Sequence, residues 1–194
     1  MQQLEKILQF ARANYIPVML DDTRQMLFDV VSKAQPKKIL EIGTAIGYSG
    51  IIMLTASPNA TLNTIEMDEQ SVKLAKANFA QAGVSNRVNV FVGDAREIVH
   101  QLTGSYDFIF LDGPKGQYLD FLPYLLDVLQ VGGTLVCDNV LYKGLVENQP
   151  DSGHKHVTIA RNLKQFLQQL QSNTALQTTL YHTGDGVTVS VKLR

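Results

Sequence analysis

The chain has 194 residues, enough for one domain with a real core, and its 45% hydrophobic and 18% charged content is that of a soluble globular enzyme. A formal net charge of -1 argues against a global positive field for nucleic acid, while leaving room for a local basic patch. Cys137 is the single cysteine, which excludes an intramolecular disulfide and a cysteine-based zinc site and suits the cytoplasm. The predicted elements begin with a short helix over Met1 to Arg12, a helical extension of about residues 1–14 on a single domain spanning 1–194. It lacks the unbroken apolar run of a signal peptide or membrane span, so no membrane partner is expected.

Alternation follows. Ile39 to Ile42 reads as a strand closed by Gly43, and Tyr48 to Ala56 as a helix. Thr61 to Met67 is the second strand, and Glu69 to Ala82 a helix, with Gly83 as the left-handed residue past its end. Arg87 to Val92 and Phe108 to Leu111 are further strands, each followed by a helix, Ala95 to Leu102 and Tyr118 to Leu129. Gly132-Gly133 turns the chain into a fifth strand, Thr134 to Cys137. A helix over Val157 to Leu170 precedes two strands, Leu176 to His182 and Val187 to Leu193, separated by Thr183-Gly184-Asp185-Gly186. That spacing predicts a hairpin, so a mostly parallel α/β sheet ends in an antiparallel pair. The pattern favours a Rossmann-like methyltransferase sheet of seven strands, with helices on both faces, over a dinucleotide dehydrogenase, by analogy of fold.

Ligands of open α/β sheets bind beyond the carboxyl ends of the strands. After the first strand, Gly43, Ala45 and Gly47 let backbone approach a ligand where the next helix begins, although a tight turn alone would need the same residues. Glu66 ends the second strand, nineteen residues after Gly47, where a carboxylate can accept from both ribose hydroxyls of a nucleoside cofactor or stand solvated. After the third strand, Asp94 in Gly93-Asp94-Ala95 can pair with an adenine edge or cap a helix. The loop lacks the Gly-x-Gly-x-x-Gly spacing that seats a pyrophosphate. Its Gly-x-x-x-Gly spacing resembles instead the first motif of S-adenosylmethionine methyltransferases.

Beyond the fourth and fifth strands stand Asp112 and the pair Asp138-Asn139, hard oxygen donors that suit Mg²⁺ or Ca²⁺ better than zinc. A helix cap and a turn are the plainer alternative. Taken with Glu41 to Ser49, Glu66, Gly93 to Ala95, Lys115 and Tyr118, these residues make the chain resemble the metal-dependent O-methyltransferases that include catechol and caffeoyl-CoA O-methyltransferases. The resemblance runs from Ile16 to the terminal strands. It implies S-adenosylmethionine and Mg²⁺ or another divalent cation as cofactors, with Asp112, Asp138 and Asn139 as metal ligands and Lys115 as catalytic base. It also implies cofactor contacts at Met19, Glu41, Gly43, Ala45, Tyr48, Ser49, Glu66, Met67, Gly93, Asp94, Ala95 and Asp112, and a homodimer. The chemistry is coherent: a metal holding two adjacent oxygens acidifies one hydroxyl and aims it at the methyl group. Lys115 can take the proton once neutral, a form favoured by desolvation and a nearby dication.

Gly43 to Ser49, Lys115 to Tyr118 and Asp138 to Val146 also resemble a bacterial branch that includes tRNA 5-hydroxyuridine methyltransferases. That branch makes O-methylation of a wobble 5-hydroxyuridine the leading expectation, with the tRNA anticodon region as partner and the uracil 4-oxo and 5-hydroxyl oxygens replacing those of a catechol. A small-molecule catechol or phenol is the alternative acceptor. A tRNA enzyme calls for a positive rim from Lys143, Lys155, Arg161 or Lys164. A small-catechol enzyme calls for a closed apolar pocket walled by Tyr142 and Tyr15. A non-catalytic nucleotide-binding module needs none of Asp112, Lys115, Asp138 and Asn139. The segment Asn139 to His156, with Glu147, Asp151, His154 and Lys155, is expected over the site, its His-x-His pair solvated and not a metal site.

Overall fold

A computed structural model of the chain describes residues 2–147 and 154–194. They cluster into two compact units, Met1–Ile98 and Val99–Arg194, each treated in turn. The seven strands take the order β3-β2-β1-β4-β5-β7-β6, mostly parallel with an antiparallel end, as the alternating pattern predicts.

The first unit opens with α1 (Gln2–Ala13) and α2 (Asp21–Ala34). The predicted elements omit α2, yet Thr23, Leu27 and Val31 recur on one helical face and are buried. Asp21 and Asp22 in its first turn complement the positive helix end, and Gln35 closes it with a left-handed φ of 43°. β1 (Lys38–Ile42), β2 (Thr61–Glu66) and β3 (Val88–Val92) pair in parallel, interleaved with α3 (Tyr48–Ala56) and α4 (Glu69–Gln81). α3 is apolar nearly all round and correspondingly buried. α5 covers only Ala95–Ile98, shorter than the expected helix, and residues Val99–Gln101 continue as a 3-10 turn.

Arg87 closes the far end of this unit. Its guanidinium donates to the carbonyls of Leu54, Ser57 and Ala60 at 3.1–3.4 Å, tying the entry to β3 to the end of α3 and the turn before β2. Arg87→Ala is therefore expected to cost about 1–3 kcal/mol of stability, read as a lower urea midpoint at constant slope. An unchanged midpoint would mean that water satisfies those carbonyls as well.

In the second unit β4 (Tyr106–Leu111) pairs in parallel with β5 (Leu129–Cys137), and α6 (Tyr118–Val128) connects them. The expected turn at Gly132-Gly133 lies instead inside β5. Tyr106 pairs with Leu129 but Phe108 with Thr134, so the intervening residues bulge, with Gly132 at φ 81°. α7 (His154–Ser172) precedes the hairpin of β6 (Leu176–Tyr181) and β7 (Val187–Lys192), the latter antiparallel to β5. The Lys192 ammonium donates to the carbonyls of Leu126 and Leu129 at 2.7 and 2.8 Å, capping the end of α6. Among the described residues no helix is long and apolar enough to cross a membrane.

Candidate active site

The loop between β1 and α3 carries the first group of expected contacts. Gly43, Ala45 and Gly47 all adopt positive φ, of 101°, 45° and 82°. At Gly47 a side chain would also meet Phe79, whose ring lies 2.9 Å from the position of a Cβ, so both conformation and space demand glycine. Glu41 is 0% exposed, and its carboxylate accepts from the Ser49 hydroxyl and, at 2.6 Å, from that of Thr64. The Thr64 and Thr44 hydroxyls lie 2.6 Å apart. Glu41 and Ser49 thus form a buried polar network that fixes the loop to β2, and Ala45 is the exposed member of the set. Tyr48 is buried at the start of α3, and burial pushes its phenol above the usual range, with Arg24 acting in the opposite sense. Met19 is half-buried in the segment before α2.

Glu66 accepts three backbone N–H bonds of 2.9 Å, from Met67 and Asp68 at Oε1 and from Ala45 at Oε2. An ionised carboxylate has about four lone-pair sites, so this geometry orients Glu66 and leaves capacity for a hydroxyl donor. Met67 beside it is 67% exposed, an apolar side chain presented to solvent. Gly93, at φ 150°, donates to the Glu66 carbonyl at 2.9 Å, which joins the ends of β2 and β3.

Asp94 is already partnered. The Arg96 N–H donates to it at 2.8 Å and the Arg96 guanidinium at 2.5–3.1 Å, and these bonds hold its carboxyl below the usual carboxylate range. Through the Arg96 N–H it caps the helix that begins at Ala95, one of its two expected roles. Nothing in the spacing foretells the Arg96 side chain folding back.

In the second unit Asp112 follows β4, and Lys115 opens a 3-10 turn, Lys115–Gln117, that leads into α6. The Lys115 ammonium donates to Asp112 Oδ1 at 2.6 Å and lies 5.5 Å from the Tyr118 ring centroid. Asp138, 1% exposed, follows β5, and its Oδ1 accepts from the N–H of Asn139 at 2.6 Å. Asn139 has a left-handed φ of 55°, a conformation asparagine tolerates better than most residues. Burial first, and then the Asp112 charge, push the Asp138 carboxyl up to about 7, against the opposing Asn139 N–H and Lys115.

Among the described residues no cluster of three or more histidine, cysteine, aspartate or glutamate side chains stands ready for a metal. The expected ligand set is of another kind, two carboxylates and an amide oxygen. Such donors suit a hard cation that keeps several waters. A carboxylate raised by burial and then by a second carboxylate beside it is also one that a divalent ion would help to keep charged.

The turn of the β6–β7 hairpin holds the segment after Asn139. Val140 and Leu141 donate to the carbonyls of Gly186 and Asp185, both at 3.0 Å, and the Lys143 N–H donates to the Asp185 carboxylate. A side chain at Gly186 would collide with Leu141, 2.3 Å from the position of a Cβ. Tyr142 bonds His156 at 2.9 Å, and His182 lies 3.0 Å from Glu147. Asp151 and the side chains of His154 and Lys155 lie outside the described residues. Tyr15, expected as a pocket wall, is 95% exposed.

The profile of the O-methyltransferase family matches residues 1–193. A catechol O-methyltransferase of Niastella koreensis is 34% identical over 153 residues, covering 75% of this chain and 66% of that protein, just under two thirds of its length. A caffeoyl-CoA O-methyltransferase of Medicago sativa is 28% identical over 182 residues, or 89% of this chain and 74% of that protein. Among solved structures, one from Staphylococcus aureus superposes with a TM-score of 0.90 at 29% identity, covering 97% of this chain and 91% of that one. TomG of Streptomyces achromogenes, an O-methyltransferase of tomaymycin synthesis solved with S-adenosylmethionine, gives 0.88 at 27% identity, covering 100% of this chain and 91% of that one. The chain belongs to the O-methyltransferase family and is an S-adenosylmethionine-dependent O-methyltransferase.

Proposed function

We propose that the chain methylates a small catechol-like acceptor with the help of a divalent metal, Mg²⁺ first among them. The observation that carries this reading is the Asp138 carboxyl, raised first by burial and then by the Asp112 charge, beside the Asp112–Lys115 ion pair. Asp112, Asp138 and Asn139 would hold the ion. A bound dication supplies Lewis-acid chemistry, acidifying one acceptor hydroxyl and fixing its direction. Lys115 serves as the base for that hydroxyl, and must first release both its own proton and its hold on Asp112. Glu66, oriented by its three N–H donors, receives the ribose hydroxyls of the cofactor, while Gly43, Ala45 and Gly93 supply close backbone. Met67 covers the adenine, and Asp94 pairs with its edge once Arg96 gives way. Met19, Glu41, Tyr48, Ser49 and Ala95 complete the cofactor surroundings.

The relatives named for catechol and caffeoyl-CoA favour a small acceptor with two adjacent oxygens. A specific observation favours a second reading, 5-hydroxyuridine in the tRNA anticodon region. Lys143, Arg161 and Lys164 are exposed, and Asn162, next to Arg161, donates to the carbonyl of Gly116 in the Lys115 turn. A homodimer acting in the cytoplasm belongs to the same reading.

The test incubates purified protein with labelled S-adenosylmethionine and Mg²⁺, and with either catechol or tRNA bearing unmethylated 5-hydroxyuridine. Catechol is expected to take up label, and a chelator to stop the transfer. Labelling of the tRNA alone would move the acceptor to the second reading, and transfer indifferent to chelator would dispose of the metal.

A further inference from the structure

The two strand ends that carry the acidic residues share one hydrogen-bond donor. Tyr118, 0% exposed, donates its hydroxyl to the carbonyl of Leu111 and to that of Asp138, each at 3.1 Å. Leu111 immediately precedes Asp112, and its carbonyl also accepts from the Asp138 N–H at 3.0 Å. The same phenol ring lies under the Lys115 ammonium, 5.5 Å from centroid to nitrogen. Phe166 packs edge-on against the ring at 5.5 Å and fixes its orientation from α7.

We infer that Tyr118 is a positioning residue, whose hydroxyl sets the spacing of Asp112 and Asp138 and whose ring seats Lys115. The inference rests on the proposed metal site and adds a cause for its geometry. One O–H shared between two carbonyls holds both strand ends to a single point, so neither carboxylate can shift alone. The ring offers its negative face to the ammonium, which limits where Lys115 can sit while it pairs with Asp112. A phenylalanine would keep the ring and its packing but leave a buried carbonyl short of a donor.

Three forms of the full chain discriminate: the natural protein, Tyr118→Phe and Phe166→Leu. The first readout is the dissociation constant for Mn²⁺ alone, by electron paramagnetic resonance. Losing a group that orients metal ligands weakens affinity by about tenfold or more, and that loss is expected for Tyr118→Phe. Phe166→Leu loosens the same packing without touching the strand ends, and is expected to bind Mn²⁺ as the natural protein does. Equal affinity in Tyr118→Phe and the natural protein overturns the inference, as does equal weakening in both variants.

The second readout needs no metal. Amide hydrogen exchange at Asp138, compared with Leu135 and Val136 within β5, is expected to quicken selectively in Tyr118→Phe. If the natural protein binds no Mn²⁺, the metal reading falls and exchange alone decides on Tyr118. Selective quickening at Asp138 then upholds its positioning of the strand ends, and uniform quickening or none overturns it.

Discussion

Asparagine at position 138 is expected to abolish methyl transfer and yet to stabilise the metal-free protein above pH 7. Asp138 is 1% exposed, and its carboxyl is raised from an ordinary 3.8 to about 7. Between those values the folded protein keeps a proton that the unfolded chain has released. Stability therefore falls as pH rises through this window, and the loss is complete above about 7. Its size is on the order of a few kcal/mol, because each pK unit is worth about 1.4 kcal/mol. Asp138→Asn has no charge to bury, and its side-chain oxygen can still accept from the Asn139 N–H. Thermal unfolding in chelator at pH 5 and pH 8 should show the variant gaining on the natural protein more strongly at the higher pH, since pH 5 lies only part of the way through the window. With Mg²⁺ restored, its kcat should fall by more than about a hundredfold, beyond what loss of an outer supporting group costs. Natural rates in the variant would remove Asp138 from the site, and parallel pH dependences would remove the buried charge.

Glu66→Ala is expected to raise the dissociation constant for S-adenosylhomocysteine by about ten- to a hundredfold, the worth of hydrogen bonds to a charged acceptor. Two losses combine in that figure. The carboxylate no longer receives the ribose hydroxyls, and the N–H groups of Ala45, Met67 and Asp68 lose their common acceptor. Glu66→Gln separates them, since an amide oxygen can serve part of the backbone set without the charge, and should fall between. Calorimetric titration reads the affinities. Unchanged affinity in Glu66→Ala would restrict the residue to stapling the loop after β1 to the end of β2.

The strand ends were legible because the parallel strands carry short apolar runs and the polar residue at or just after the end of each is conspicuous. Glu66, Asp94, Asp112 and Asp138 all stand where that reasoning put them. α2 was less legible, since its buried stripe is confined to Thr23, Leu27 and Val31 among charged neighbours. Gly132-Gly133 looked like a turn, because glycine serves a bulge inside a strand as readily as a turn before one. Side-chain partners were the least legible. That Glu41 is spent on Ser49 and Thr64, Asp94 on Arg96, and Tyr118 on two carbonyls depends on distances of a few ångströms between residues that no periodicity relates. A carboxylate at a strand end announces a site, but what it touches is decided by packing.

The clasp between the hairpin turn and the segment after Asn139 ties chemistry to the order of folding. Asn139 is held in its left-handed conformation next to residues whose N–H groups end on Asp185 and Gly186, more than forty positions further along the chain. Such distant closure is slow to form and late to be rewarded. The loop after Asn139 is accordingly expected to settle only once β7 has paired with β5. Cleavage within β7 is then expected to lower methyl transfer with every acidic residue still in place, which a rate assay after limited proteolysis checks.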